Sequence, residues 1–419
     1  MTLTAAVERG PGFDVILGNP PFLNQVENAT TIAKGAATVG RLLTGDSAVR
    51  YTDVSATFLL LACELLRDGG YASLVQPQSL LSAKAAGPVR DAVLSAGSLR
   101  ALWVSNEHVF EASVFTCAPT LQRSGPRKAT CRRSTGKNVI ALPLTTLDMD
   151  ELRRETTWSH LVAEASGVPT ADCTASGTVG DIADSVADFT EYYRLEGFVI
   201  ETRDADPAAP TEYPPLITTG LVDLAVCTWG TQTTRIFKQK WDAPCIDRRR
   251  MYRDGTLGPW VDKRRVPKIV MATQTRVLEV IVDEPGRFVA SIPLITITPS
   301  DTNRLWHLAA VLASPVICAL ALRKFAGAAL NADAIKLSAK QVLQLPLPPE
   351  SADWDVAAEH FREATEATEE VARLHALRAM AEATVRAYRV PAEQREPLVA
   401  WWWARLTGES VQEDADEHA

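Results

Sequence analysis

The four residues Asn19-Pro20-Pro21-Phe22 combine groups that suit one kind of ligand. The two prolines fix the backbone and present carbonyl oxygens without accompanying N–H groups. Asn19 adds a side-chain oxygen that accepts hydrogen bonds, and Phe22 adds a flat apolar face. An aromatic ring that carries an exocyclic amine, with two N–H donors, satisfies this set. A turn that only ends a strand is the alternative explanation of the same four residues.

The elements around this turn predict an α/β sheet. The turn follows an apolar run over 13–19, which is typical of a buried parallel strand. Ligands of open α/β sheets bind beyond the carboxyl ends of the strands, so the turn lies where a site belongs. Helical patterns over 53–67 and 82–95 alternate with strand patterns over 71–77 and 99–105. This alternation predicts a sheet with right-handed crossovers.

The pattern changes further along the chain and predicts four more segments. These are a polar linker over 125–188 with one strand at 138–144, an α+β module over 189–349, a long packing helix over 350–390 and a tail over 391–419. Apolar residues spaced by three and four in the long helix indicate packing against another helix. The tryptophans at 401–403 cannot all be buried on one helix face, so part of the cluster should meet another surface.

Composition excludes several classes of protein. With 46% hydrophobic and 22% charged residues, the chain is neither disordered nor fibrous. The longest apolar runs, 316–322 and 398–404, are far shorter than the roughly 20 residues that cross a bilayer. The seven cysteines have neither disulfide-framework nor metal-ligand spacing. We therefore expect a cytoplasmic protein with no membrane role and no metal site.

The charges are segregated, although the net charge is −8. Six basic residues and no acid occur within 122–137, and eleven basic residues against four aspartates occur within 235–268. Acids collect instead in 353–370 and 409–417. Basic stretches suit a polyphosphate partner, and solvated loops are the alternative. The residues predicted to grip phosphates are Arg248, Arg249, Arg250, Lys263, Arg264 and Arg265.

The segment FDVILGNPPF, followed by LLRDGGYASLVQPQSLL, resembles the catalytic region of gamma-type N6-adenine DNA methyltransferases of restriction–modification and phage-exclusion systems. HVFEASVFTCAPTLQ looks like the closing hairpin of that family, and PKIVMATQTR, ITITPSD and LQLPLPP resemble its target-recognition domain. The resemblance implies that 1–124 is the catalytic half of a Rossmann-like methyltransferase sheet, and that 189–349 is a DNA-binding, target-recognition domain.

The resemblance also implies a mechanism. Adenine would be flipped out of the duplex and stacked on Phe22. Its amino group would donate hydrogen bonds to Asn19 Oδ1 and the Pro20 carbonyl, which would aim its lone pair at the methyl group of S-adenosylmethionine. Pro21 completes the catalytic motif. No covalent intermediate is expected.

One part of the family pattern is missing from this sequence. Only twelve residues precede Phe13, whereas the family places a glycine-rich cofactor turn and an acidic residue before this strand. Downstream, no strand–GxG–helix arrangement replaces it. The residues that bind the cofactor therefore remain unknown. We expect a partner polypeptide that supplies the cofactor-binding half, because the strand would otherwise be an uncovered edge.

Two other functions remain open. The chain could be a DNA sequence-recognition component without catalysis or a truncated methyltransferase remnant, which would explain the basic stretch and the missing cofactor half. It could also be a structural partner that uses its long helix and tryptophan cluster. Neither alternative explains the intact Asn19–Phe22 motif.

Overall fold

The computed structural model describes residues 12–22, 38–39, 53–107, 109, 114–187, 193–325 and 334–408. The chain divides into two compact units. The first unit consists of residues 1–168 together with 322–334, and the second of 169–321 together with 335–419.

The first unit contains a seven-stranded sheet, which confirms the α/β prediction. The strands follow the spatial order β1-β2-β5-β4-β6-β7, and β3 also pairs with β5. They are β1 Phe13–Gly18, β2 Leu66–Leu74, β3 Gln76–Pro77, β4 Gly97–Val104, β5 Thr116–Arg123, β6 Lys128–Thr135 and β7 Ile140–Asp148. β1 and β2 are parallel, and β5 runs antiparallel between β2 and β4. Among the described residues, β1 pairs only with β2, so it forms one edge of the sheet.

Five helices accompany the described part of this sheet. They are α1 Val54–Leu65, α2 Ser79–Ser82, α3 Gly87–Ala96, α4 Met149–Arg154 and α5 Ser159–Ala165. The Asp53 carboxylate begins α1 by accepting a 2.8 Å hydrogen bond from the Ser55 amide, as N-cap residues do. α1 ends at Leu65, and the chain passes directly into β2.

The strand after α1 begins earlier than predicted. The prediction was 71–77, whereas β2 starts at Leu66 and contains a bulge, because Phe13 pairs with Leu66 and Val15 pairs with Tyr71. Gly69 adopts a φ of +78°, and a Cβ on Gly70 would lie 2.8 Å from the Phe13 carbonyl oxygen. Glycine is therefore required where the bulge turns and where β1 passes close by.

The predicted linker over 125–188 is wrong for much of its length. β6 pairs in parallel with β4, and β7 pairs with β6, so both strands extend the first sheet. The expected strand at 138–144 is β7. β6 escaped prediction because the side chains it buries, Ala129, Cys131 and Thr135, are small or polar. Pairing with β4, which local sequence does not encode, determines its conformation.

The second unit mixes short strands and helices, as expected for the α+β module. Its largest sheet has four strands in the order β17-β16-β19-β8. The strands described in the whole unit are β8 Ala183–Val186, β9 Val199–Glu201, β10 Leu216–Ile217, β11 Val222–Asp223, β12 Val226–Cys227, β13 Thr234–Ile236, β14 Gln239–Trp241, β15 Pro244–Ile246, β16 Lys268–Met271, β17 Val280–Asp283, β18 Val289–Ala290 and β19 Ile295–Pro299.

The described helices that lie in this unit or begin in it are α6 Arg248–Arg253, α7 Gly258–Asp262, α8 Leu305–Ala313, α9 Pro315–Phe325, α10 Ala339–Val342, α11 Ala352–Glu366, α12 Glu370–Ala387 and α13 Ala392–Thr407. Inside the four-stranded sheet, the buried Lys268 ammonium lies 2.6 Å from the Asp283 carboxylate. The same carboxylate accepts the backbone N–H groups of Arg287 and Phe288. Burying these two charges is therefore compensated by complete hydrogen bonding of the aspartate.

The long helix predicted over 350–390 is two helices. α11 ends at Glu366 because Ala367 adopts an extended conformation, and α12 begins at Glu370. The apolar residues were predicted to pack against another helix. In the structure α11 and α12 pack against each other, and both Phe361 and Leu377 are buried. In the tryptophan cluster Trp402 is fully buried. Trp401 and Trp403 are half-buried, with the guanidinium groups of Arg405 and Arg378 over their rings.

Among the described residues, no single helix has the length and hydropathy needed to cross a membrane. The segments Thr302–Ala313 and Pro315–Phe325 reach that threshold only as a pair bent by 59°.

Glu279 should make the stability of the fold depend on pH. Burial, and then the neighbouring Asp223, raise the pKa of its carboxyl group to about 7. The folded state therefore holds this proton more tightly than the unfolded state, so stability falls as pH rises from about 4.5 to 7. We expect this group to account for about 3 kcal/mol of that fall, given about 1.4 kcal/mol per pKa unit.

Glu279→Gln should remove this part of the pH dependence, as measured by urea unfolding between pH 4 and pH 8. The same substitution at exposed Glu359 is the matched control and should leave the profile unchanged. An identical profile for wild type and Glu279→Gln would contradict the assignment.

Candidate functional site

The structure places the four predicted site residues together on the loop that leaves the carboxyl end of β1. The Gly18 carbonyl accepts a 3.0 Å hydrogen bond from Val75 N, which closes the ladder between β1 and β2. Asn19 and Pro20, which follow Gly18, are therefore level with Gln76 and Pro77, which follow Val75. Carboxyl ends of parallel strands meet at one edge of a sheet, which is where such folds bind ligands.

The exposure of the four residues differs along the loop. Asn19 and Pro21 are exposed, Pro20 is buried and Phe22 is half-buried. Within the described ranges, the Asn19 carboxamide has no hydrogen-bond partner. The loop thus combines a fixed backbone with an available amide oxygen and a partly accessible ring.

Two buried glutamines that sequence reasoning missed line the same edge of the sheet. The Gln76 amide nitrogen donates to the carbonyls of Ser55 and Val75, at 3.1 and 3.0 Å. The Gln78 amide nitrogen donates to the carbonyls of Ser105 and Thr116, at 2.6 and 3.2 Å. Carbonyls only accept hydrogen bonds, so each amide orientation is fixed. Each Oε1 atom is consequently buried without a partner among the described residues.

A small cavity of about 90 Å³ adjoins this edge. It is lined by Asp53 and Ser55 at the start of α1, by Gln76 and Pro77 of β3, by Leu80 of α2 and by Ala83, which follows α2. The Ser55 hydroxyl, like Gln76 Oε1, is buried and has no partner among the described residues. A donor group in this cavity, such as that of a water molecule, would satisfy both atoms.

Arg90 fixes one wall of this cavity. Its guanidinium donates to the carbonyls of Leu80, Ala83 and Thr156, at 2.7, 2.9 and 2.7 Å. Burial lowers the pKa of Arg90 to about 10, and the neighbouring Asp91 acts in the opposite direction. Arg90 therefore holds the loop after β3 in place and does not present its charge to a ligand.

The basic residues of α6 are largely neutralised. Arg248 forms hydrogen-bonded ion pairs with Asp262 at 2.6 Å and Glu212 at 2.7 Å, and these contacts raise its pKa. Arg249 pairs with Asp206 at 2.9 Å, and Arg250 lies 3.6 Å from Asp254. The sequence showed the cations and the aspartates between them, but it did not show that Asp254 and Asp262, or the more distant Asp206, pair with these arginines. These three arginines therefore have less charge to offer phosphates than their spacing indicated.

The second basic group directly follows α7. Lys263 is exposed, whereas Arg264 and Arg265 are half-buried. The Arg264 guanidinium lies 3.7 Å from the centre of the Trp260 ring and donates to the Trp260 carbonyl. Among the described residues, no group of three or more His, Cys, Asp or Glu side chains could hold a metal ion.

The signals that could have revealed the missed residues are local. The sequence QPQ directly follows the second parallel strand, and polar residues at that point of an α/β sheet are candidates for a site.

Part of the predicted closing hairpin over 108–122 lies outside the described residues. Its remainder is β5, whose Thr116–Cys117 end pairs with β3.

Comparison with known proteins gives a family match and a fold match. Residues 4–110 match the family model of the Eco57I restriction-modification methylase. The solved Type IIL restriction-modification enzyme MmeI, in complex with DNA, is similar over 94% of this chain and 57% of that one, with 11% identity and a TM-score of 0.56. This likeness shows that the fold is shared.

A second solved structure, the type IIG restriction endonuclease BpuSI, aligns over 94% of this chain and 55% of its own, with 14% identity and a TM-score of 0.35. The chain thus spans little more than half the length of either protein. A search of curated sequences finds no match.

Gln76→Leu should destabilise the protein by about 1–3 kcal/mol, because buried carbonyls of Ser55 and Val75 would lose their donor. Urea unfolding measures the change. Gln122→Leu is the control, since its amide reaches the Gly69 carbonyl only at 3.5 Å and should cost less. Equal or greater stability of Gln76→Leu would contradict the role assigned to this amide.

Proposed function

We propose that the chain carries the base-binding half of an N6-adenine DNA methyltransferase and recognises double-stranded DNA. The observation that carries the proposal is the Asn19–Phe22 loop, held at the carboxyl end of β1 with its amide available. This loop lies inside the segment that matches the Eco57I methylase model. MmeI, which shares the fold, was solved in complex with DNA.

The chain's own residues have defined tasks in this proposal. A flipped adenine would stack on the accessible part of Phe22. Its exocyclic amine would donate to Asn19 Oδ1 and to the Pro20 carbonyl, and burial of Pro20 holds that carbonyl in place. These two acceptors orient the nitrogen and favour the positive charge that develops on it during methyl transfer. Pro21 keeps the loop rigid.

S-adenosylmethionine is the methyl donor that this activity requires, and the described residues do not provide its pocket. The strand expected beside β1, with a glycine turn and an acidic residue, is not among them. The chemistry of the described loop fits the base and not the donor.

A partner polypeptide that holds the cofactor would pair with β1 on the side where the described part of the chain supplies no neighbouring strand. Phe13, Val15 and Leu17 are 58%, 56% and 75% exposed, although they are apolar residues of a strand. An exposed apolar edge strand is a site for pairing with another strand. A partner strand there would cover these side chains and bring its own carboxyl end beside Asn19.

A non-catalytic DNA-recognition component, or a methyltransferase remnant, is the second candidate. The lack of a cofactor pocket among the described residues favours it. It would bind DNA through the second unit and would methylate nothing.

Asn19→Ala separates the two candidates. In cells that co-express the chain with the polypeptide encoded immediately upstream, wild type should produce N6-methyladenine, measured by mass spectrometry of host DNA. Loss of the orienting oxygen should reduce methylation by about 100-fold or more. Duplex affinity should stay nearly unchanged.

Asn303→Ala, the same change at an exposed position outside the loop, is the control and should methylate like wild type. Full methylation by Asn19→Ala would contradict the proposed mechanism. Duplex binding by wild type without any N6-methyladenine would favour the recognition component.

The β1 edge gives an independent prediction. Wild type should self-associate when expressed alone, and Leu17→Lys should reduce this association, because a charge on an edge strand opposes pairing. Sedimentation velocity measures the change. Val371→Lys is the control, since Val371 is 78% exposed but lies on a helix. A monomeric wild-type chain would remove the main support for pairing at this edge.

A further inference from the structure

The β13–β14 hairpin has an unusual distribution of charge. Arg235 and Lys240 are directly opposite each other in the antiparallel register. Like charges at such positions oppose pairing, because side chains directly opposite are only about 5 Å apart. Lys238, in the turn between the strands, adds a third exposed cation. None of the three forms an ion pair with any residue that the structure describes.

The turn of this hairpin is also unusual. Phe237 and Lys238 have φ angles of 51° and 67°, which the two-residue turns of hairpins require. Such turns usually contain asparagine, aspartate or glycine, because other residues rarely adopt positive φ. Here phenylalanine occupies the first turn position and lysine the second. Two large side chains therefore take positions in which glycine or asparagine would be more stable.

The hairpin is nevertheless rigidly attached to the second unit. Residues opposite each other share a face, so Thr234, Ile236, Gln239 and Trp241 lie on the face away from Arg235 and Lys240. Ile236 is fully buried in a core cluster, and Phe237 and Trp241 pack against that cluster. The Trp241 indole also donates to the Ile236 carbonyl at 3.2 Å. One face is thus fixed to the core while the other presents cations to solvent.

These features contrast with the arginines of α6. Arg248, Arg249 and Arg250 each have a carboxylate within 3.6 Å, whereas the hairpin cations have none among the described residues. Two-stranded β-ribbons have dimensions that the DNA major groove admits. Unpaired, rigidly held cations on such a ribbon suit the phosphates that border the groove.

We propose that the β13–β14 hairpin contacts the backbone of duplex DNA through Arg235, Lys238 and Lys240. This inference rests on the proposed function, because it takes duplex DNA as the partner of the chain. The sequence analysis counted these three cations within the basic stretch over 235–268 but did not predict the hairpin that carries them. The α6 arginines are correspondingly structural residues that join α6 to its neighbours.

The test uses the full chain and a fluorescent duplex of random sequence, with anisotropy measured at several KCl concentrations. The double variant Arg235→Thr with Lys240→Thr should lower the slope of log K against log salt by about 2, since each phosphate contact contributes about 0.9. Its urea midpoint should not fall, because the variant removes a like-charge pair and places β-branched residues on strands.

Lys336→Thr with Lys340→Thr is the matched control. Both lysines are exposed, belong to the same unit and lie outside the hairpin, so the net charge changes equally. The control should keep the wild-type slope. Equal loss of slope in both double variants would overturn the proposal, because net charge alone would then govern binding. An unchanged slope in the hairpin variant would overturn it as well.

Two further outcomes separate this inference from the proposed function. A wild-type chain that binds no duplex would overturn both. If the wild-type chain bound the duplex and the hairpin variant had the same salt dependence of binding, only the inference would be overturned. If poly-L-glutamate bound as tightly as the duplex and lost affinity equally in the variant, the partner would be a generic polyanion and the assignment to DNA would be overturned.

Discussion

The parallel pairing of β1 with β2 is the constraint on which the candidate site depends. The register from Val15–Tyr71 to Gly18–Leu74 brings both strands to their carboxyl ends at the same level. The Asn19 loop then leaves the sheet at the level where the buried Gln76 begins β3. The bulge at Gly69 and Gly70 permits this register, because any side chain at Gly70 would collide with β1. A shift of one residue would reverse the faces of every side chain on β1 and separate these groups.

Charge illustrates why residue counts along a sequence are weak evidence for a binding surface. Within 122–137, Arg127, Lys128 and Lys137 pair with Asp150, Asp148 and Glu107, and Arg133 pairs with Glu164. Several of these carboxylates lie more than twenty residues from their partners. The segment 122–137 contains no acidic residue, but in the fold acids from other segments pair with its basic residues. What remains available for an anion is the small set of cations that no carboxylate meets, and the sequence does not distinguish it.

The elements that depend on local signals could be predicted from the sequence, and those that depend on partners could not. The apolar run of β1, the capped helix α1 and the strand β4 follow from periodicity and capping. β6 lacks a strong apolar signal, since its buried side chains are small or polar, and its pairing with β4 and β7 determines its conformation. The break between α11 and α12 contains neither glycine nor proline, and packing of the two helices on each other outweighs helix propensity there.

The same distinction applies to the site. The Asn19–Phe22 loop was predictable because proline, amide and aromatic residues have chemical properties that do not depend on context. The roles of Gln76 and Gln78 depend on which carbonyls their amides meet, and those carbonyls come from α1, from the residue that follows β4 and from β5. In both units, the proposals about function rest on features that break a local rule. Among the described residues, these are buried acceptors without donors, apolar side chains on a strand that pairs on one side only, and cations opposed across a hairpin, and each lowers stability in the isolated chain. Each would be relieved by a ligand or partner of complementary chemistry, which is the physical connection between these three features and binding.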